Sequence, residues 1–342
     1  MRTLKRALDP QGRFNPGKIV AMTQRSSRHL VDPQLLPFLE LLPPTELSDA
    51  TLAETRARDW PIPPDPELDA KVAVRQFKVP GPAGAPEVGV ICYRPKASSG
   101  ALPCIFHIHG GGYVAGKVEG QAPVHKAMVL ELDCAIVTVD YRLAPETPAP
   151  GSVEDCYAAL AWLHAHPDLA GVDLARTGVM GESAGGGLAA ALALLVRDRG
   201  EYRFGFQHLI YPMLDDRTSA AAEDQRHPYA GEFVWTHQNN RYGWTSLLGH
   251  ELGRDGVSPY AAPARAESLA GLPPTFISTG SLDLFLEEDL DYARRLLRAG
   301  VPTELHVYPG GFHAFDFFPG VEVSSRAVRD SRAALKRALH PA

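Results

Sequence analysis

From about residue 70 onward the chain alternates short apolar runs with helical stretches, and this alternation leaves few folds open. VAVRQFKVP, VGVICYRP, PCIFHIH, AIVTVDY, RTGVMG, FQHLIYP, PPTFISTG and TELHVYPG are runs of the buried-strand type, the first two reading as an antiparallel start. Between the later ones lie SVEDCYAALAWLHAHP, GGLAAALALLVRDRG and EEDLDYARRLLRAG. The last two are closed by Gly200 and Gly300, where a helix end calls for a left-handed residue. Strands that alternate with helices build a mostly parallel sheet covered on both faces, so an α/β fold with eight strands is expected. In such sheets chemistry gathers at the carboxyl ends of the strands. With 342 residues, 45% of them hydrophobic, one large core with an accessory segment is expected rather than two equal domains.

Two segments stand outside the alternation. Residues 31–66 are rich in proline, with Asp32-Pro33 reading as a cap and first helical turn, and Ser48 or Asp49 as the cap of a second helix through Arg58. Their leucine-rich faces are too small for a core of their own. Residues 213–270 contain the aromatic helical stretch FVWTHQNNRYGWTSLLG, and a structureless loop of that length is uncommon. The insertion is therefore expected to join residues 31–66 in a helical lid. The division that follows is an N-terminal helical segment at 1–66 and an α/β domain at 67–342.

The net charge of −6 at pH 7 gives no global field for nucleic acid or an anionic membrane. Arg2, Lys5, Arg6, Arg13, Lys18, Arg25 and Arg28 face Asp9 alone in the first thirty residues, which reads as a solvated arm or as a strip docking on an acidic surface. No apolar run approaches the roughly 18 residues of a membrane span, and the start lacks the apolar core of a signal peptide. A cytoplasmic address is expected. Cys92, Cys104, Cys134 and Cys156 show no CxxC spacing and fall in segments read as strand or helix, as packed, reduced thiols do.

Gly181-Glu182-Ser183-Ala184-Gly185 fits G-x-S-x-G and lies between a strand and a helix. In that context the turn is so sharp that only small residues fit beside the serine, and its hydroxyl is aimed above the sheet. A serine hydroxyl is a poor nucleophile until a base takes its proton and a carboxylate orients that base. Asp283, after PPTFISTG, and His313, after TELHVYPG, stand at later strand ends in the required order. Glu287, Glu288 and Asp289 fall in the first turn of the next helix, where acids suit the dipole, and His107 and His109 precede the serine. His109 opens His109-Gly110-Gly111-Gly112-Tyr113, whose glycines let backbone amides approach a developing oxyanion, with the Ala184 amide as a third donor. Gly111 to Lys117 also satisfies the phosphate-loop pattern G-x-x-x-x-G-K. Against it, Val118 replaces the magnesium-binding Ser or Thr, and no clear capped helix follows. No metal or organic cofactor is required.

HGGGY, Asp140-Tyr141-Arg142-Leu143-Ala144-Pro145-Glu146, the GESAGG elbow and the late Asp283 and His313 together resemble the bacterial hormone-sensitive-lipase-like (family IV) esterases and lipases of the α/β-hydrolase superfamily, over roughly residues 70–330. The resemblance implies a Ser183, Asp283, His313 triad, an oxyanion hole of the Gly111, Gly112 and Ala184 amides, and a helical cap from residues 1–66 and 213–270. It implies a serine carboxylesterase acting on short- to medium-chain esters through an acyl-enzyme. Amide or peptide hydrolysis by the same triad stays open. So does a non-catalytic small-molecule receptor, although such relatives tend to lose the base that this chain keeps at His313. The expected partner is a small ester, with no nucleic acid and no membrane span; the resemblance, whose members often pair through an edge strand, leaves a homodimer open. Two residues depart from the pattern: Leu284 replaces the usual proline, and Glu182 replaces Asp or Thr. The Glu182 carboxylate is expected to hydrogen-bond the oxyanion loop or the cap. Asp140 and Arg142 are expected to tie loops by ion pairing. Phe233, Trp235, Tyr242 and Trp244 are expected to pack the cap, one or two of them lining the pocket, with Tyr113, Tyr211 and Met213 as pocket walls.

Overall fold

In the computed structural model, which describes residues 26–42, 46–58 and 65–341, the eight apolar runs form one sheet in the order β1-β2-β4-β3-β5-β6-β7-β8. The strands are β1 (Val72–Val79), β2 (Val88–Pro95), β3 (Leu102–Ile108), β4 (Ala135–Asp140), β5 (Val172–Glu182), β6 (Gln207–Ile210), β7 (Thr275–Gly280) and β8 (Thr303–Tyr308). β1 and β2 pair antiparallel, β2 pairs antiparallel with β4, and every other pairing is parallel. All seven residues of β3 are buried, as a strand covered on both faces requires.

The helices are α1 (Leu36–Leu41), α2 (Leu52–Ala57), α3 (Pro66–Lys71), α4 (Ala122–Leu132), α5 (Gly151–Ala165), α6 (Pro167–Ala170), α7 (Ala184–Arg199), α8 (His237–Leu248), α9 (Leu286–Arg298) and α10 (Glu322–Leu339). Helices α5, α7 and α9 pack one face of the sheet and α4 and α10 the other. α7 is buried from Ala184 to Val196, so it carries no charge before Arg197, consistent with a helix enclosed on all sides. Among the described residues no helix is long and apolar enough to cross a membrane.

The structure corrects the sequence reading in several places. Helix α4 does follow the glycine-rich loop, but it begins only at Ala122, five residues after Lys117, and without a side-chain cap. Its start was hidden because Gln121, at the N-cap, makes no side-chain cap bond. α10 closes the chain as a long amphipathic helix beyond the last strand, and α3 is capped by Asp65, which accepts from Glu67 and Leu68. Asp32 accepts from the Gln34 amide at 2.9 Å, but that bond makes a turn, and α1 begins only at Leu36. All four cysteines are buried and free; Cys134 lies between α4 and β4, outside either element. The basic arm lies outside the described residues except for Arg28, which pairs with Glu40 at 2.8 Å.

Candidate active site

Ser183 takes the single residue between β5 and α7, at φ 56° and ψ −123°. A side chain in this region is rare, and here the neighbouring backbone enforces it. The Ser183 amide donates to Ile210 at 2.9 Å, and its carbonyl accepts from Gly187 and Met213 at 3.0 Å each. Asp283 follows β7 and His313 follows β8, and the three side chains meet at the carboxyl ends of the strands. His313 Nε2 lies 2.9 Å from Ser183 Oγ, and His313 Nδ1 lies 2.9 Å from Asp283 Oδ2. Asp283 is fully buried, and its other oxygen accepts the Phe285 amide at 3.0 Å. The carboxylate therefore fixes Nδ1 as the protonated nitrogen and leaves Nε2 free to accept the serine proton.

The HGGGY loop lies beside this chain of bonds. The amides of Gly111, Gly112 and Ala184 donate to no other group among the described residues. His109 donates from Nδ1 to the Gly110 carbonyl at 2.8 Å and stacks on Tyr141, whose hydroxyl donates to the His109 carbonyl at 2.8 Å. Burial lowers the His109 imidazole to about 4, which keeps it neutral and structural.

Tyr113 and Met213 are fully buried, and the Tyr113 hydroxyl donates to the Met213 carbonyl at 2.8 Å while its ring meets Trp244 at 5.1 Å. They back the HGGGY loop. Tyr211 is buried edge-on to His313 at 4.9 Å and donates to Asp316 at 2.8 Å. Trp235 covers the site: a methyl on Gly112 would run into its indole, and its ring lies 6.1 Å from that of His313.

Glu182 departs from its expected role. Its carboxylate meets His107 of β3 at 3.0 Å and Gln121 at 3.4 Å, residues on either side of the HGGGY loop, and no bond from it to the insertion or to residues 26–58 is found among the described residues. Glu288 and Asp289 are more than dipole partners: both are buried, and burial holds both carboxyls well above their ordinary range. Glu288 accepts from the Leu214 and Asp215 amides and from Thr218, anchoring the start of the insertion. Arg142 pairs with Asp155 through two bonds of 2.8 and 2.7 Å.

Arg56, which the sequence did not single out, donates to the Val114 carbonyl at 2.7 Å, the Ala144 carbonyl at 2.8 Å and both oxygens of Glu146. Opposite it on the insertion, Leu47 donates its amide to Asn239 at 2.9 Å, and Tyr242 donates to Asp49 at 2.9 Å.

A buried acid, imidazole and hydroxyl in line, beside unpaired amides, is the arrangement that acyl transfer needs. A model of the alpha/beta hydrolase fold matches residues 105–317. The chain is 31% identical to "Esterase LipI" of Mycobacterium tuberculosis over 91% of its own length and 96% of that protein. It is 33% identical to "Carboxylesterase NlhH" of the same organism, over 91% and 97%. Among solved structures, "Bacterial Heroin Esterase" superposes with a TM-score of 0.83 at 38% identity, covering 92% of this chain and 99% of that one. The chain belongs to the α/β-hydrolase fold family, in its hormone-sensitive-lipase-like esterase branch.

Proposed function

We propose that this chain is a serine carboxylesterase in which Ser183 is the nucleophile, His313 the general base and acid, and Asp283 the residue that orients it. His313 takes the Ser183 proton as Oγ attacks the ester carbonyl. The amides of Gly111, Gly112 and Ala184 receive the negative charge that develops on the carbonyl oxygen. The tetrahedral intermediate collapses as His313 Nε2–H protonates the leaving alcohol, and a water activated by the same nitrogen then releases the acid. The supporting observation is the unbroken run Asp283–His313–Ser183, with bonds of 2.9 Å at both joints. No side chain in this sequence of steps calls for a metal or an organic cofactor.

Short- to medium-chain esters are the proposed substrates, because the Trp235 indole stands against Gly112 and 6.1 Å from the His313 ring, where a long acyl chain would have to pass it. Residues 46–58 and the insertion at 213–270 are assigned to a cap over this site, supported by the bonds that run from residues 46–58 to α8; residues 1–25, 43–45 and 59–64 of the expected 1–66 cap segment lie outside the described residues. The names of the relatives, esterase and carboxylesterase, weigh against amide hydrolysis and against a silent receptor.

The test is hydrolysis of p-nitrophenyl esters from acetate to palmitate beside Ser183→Ala. The variant is expected to lose about 10⁴ to 10⁶ in kcat. Equal rates in variant and wild type would sink the assignment.

A further inference from the structure

The three amides assigned to the oxyanion come from two pieces of chain far apart in sequence. Gly111 and Gly112 belong to the loop between β3 and α4, and Ala184 to the turn after β5. The last paired residues of the two strands are Ile108 and Gly181, and beyond them one backbone lies directly on the other. A methyl on Gly110 would stand 2.8 Å from the Glu182 carbonyl, and one on Gly185 would collide with the Ile108 and His109 carbonyls. A seam of this kind has no interdigitating side chains to hold its register.

Glu182 supplies a lock from beneath. Its Oε2 lies 3.0 Å from His107 Nε2 and 3.4 Å from Gln121 Nε2, and its Oε1 lies 3.3 Å from His107. His107 is the penultimate residue of β3 and Gln121 is the N-cap of α4, so one carboxylate grips the chain on both sides of the oxyanion loop. The side chains of His107 and Glu182 are only 1% and 8% exposed, so neither bond is exchanged for water at little cost. A carboxylate only accepts, so His107 donates from Nε2, and its Nδ1 meets the Thr138 hydroxyl at 2.9 Å.

We propose that Glu182 is a positioning residue that, through His107 and Gln121, fixes the Gly111 and Gly112 amides against that of Ala184 so that all three converge on one oxygen. The proposal rests on the esterase reading and adds to it. Oxyanion donors are effective only near 2.7–3.1 Å from the developing charge, and a misplacement of about 1 Å costs on the order of 10²-fold. The pair has a second effect. A bare carboxylate one residue from the nucleophile opposes an oxyanion, and the proton donated by His107 offsets that charge. Removing the histidine is therefore worse than removing the acid.

The experiment is steady-state hydrolysis of p-nitrophenyl acetate, together with the rate of labelling by a fluorophosphonate probe. It uses the full chain as wild type, Glu182→Gln, Glu182→Ala, His107→Ala and the double alanine variant. Activity is normalised to folded protein by thermal melts. Glu182→Gln is expected within threefold of wild type, because its amide oxygen still accepts from His107. Glu182→Ala is expected to lose 10- to 100-fold in kcat with KM within twofold, His107→Ala to lose more, and the double variant to return to the Glu182→Ala level. A folded Glu182→Ala with full kcat, a loss confined to KM, or additive losses in the double variant would overturn the proposal. Where Glu182→Ala does not fold, Gln121→Ala reads the same lock from its other end, with a three- to tenfold loss in kcat expected; full activity there overturns it equally. A wild type that cleaves no ester and takes up no probe overturns the esterase reading instead.

Discussion

Asp316 sits one short turn beyond His313 and accepts the Tyr211 hydroxyl at 2.8 Å, while Tyr211 itself lies edge-on to the His313 ring. Burial lifts its carboxyl from 3.8 to about 6, with Glu182 pushing the same way and His313 pulling it back. The folded chain therefore binds this proton more tightly than the unfolded chain. The resulting stability is fully present below about pH 4 and is lost as pH rises to 6, beyond which the buried charge is a fixed cost. Asp316→Asn keeps an acceptor for Tyr211 and removes the charge. It is expected to be more stable than wild type at pH 7 to 8, by on the order of 1–3 kcal/mol, with the difference vanishing at pH 4. Thermal melts across that range check it, and a constant difference at every pH would refute it. Individual residues of the site were legible to different degrees. Ser183, Asp283 and His313 each stand at the end of a recognisable strand, so chain order alone brings them together. The partners of Glu182 and Tyr211 were not legible. They lie 75 and 105 residues away, and their meeting depends on which strands are neighbours and on which face each side chain emerges.

At the scale of elements, α8 was readable from FVWTHQNNRYGWTSLLG, and Thr236 caps it by accepting from Asn239. Its position above the oxyanion loop was not readable, because no periodicity records where an insertion comes to rest. The turn before it, with Val234 at φ 62°, delivers the Trp235 indole onto Gly112, and Trp235 Nε1 donates to the buried Asn240 at 3.1 Å. Asn240 is held in turn by Ser219 at 2.8 Å. Trp235→Ala is expected to raise the octanoate-to-acetate ratio of kcat/KM by tenfold or more, with Trp235→Phe between it and wild type. Parallel acyl-length profiles for the three proteins would show that the indole does not set the limit.

For the whole molecule, Val31 and Leu35 pack against Leu282, Tyr308 and Phe312, and residues 46–58 are tied to the loops after β3 and β4 through Arg56. Its ion pair with Glu146 is 28% and 62% exposed, and contributes under about 1 kcal/mol by itself. The bonds to the Val114 and Ala144 carbonyls matter more, because removing the guanidinium leaves part-buried acceptors unpaired. Arg56→Ala is expected to lower stability by about 1–3 kcal/mol and raise KM more than it lowers kcat, since Val114 follows the oxyanion loop directly. Urea unfolding and steady-state kinetics measure both, and an unchanged KM would count against a cap tied in this way. The sheet, its eight strands and its parallel sense were all visible as alternation in the sequence. Arg56 was invisible there, because an arginine in a short helix looks like any solvated charge until its partner is known. The glycine seam under the oxyanion loop also decides where this scaffold has freedom to diverge. At Gly110 and Gly185 a methyl group meets backbone, so a side chain there forces the two strand ends apart. The cover above rests on side chains that exchange one for another. Changes of substrate are therefore open to substitutions in the cover and closed to those along the seam beneath it.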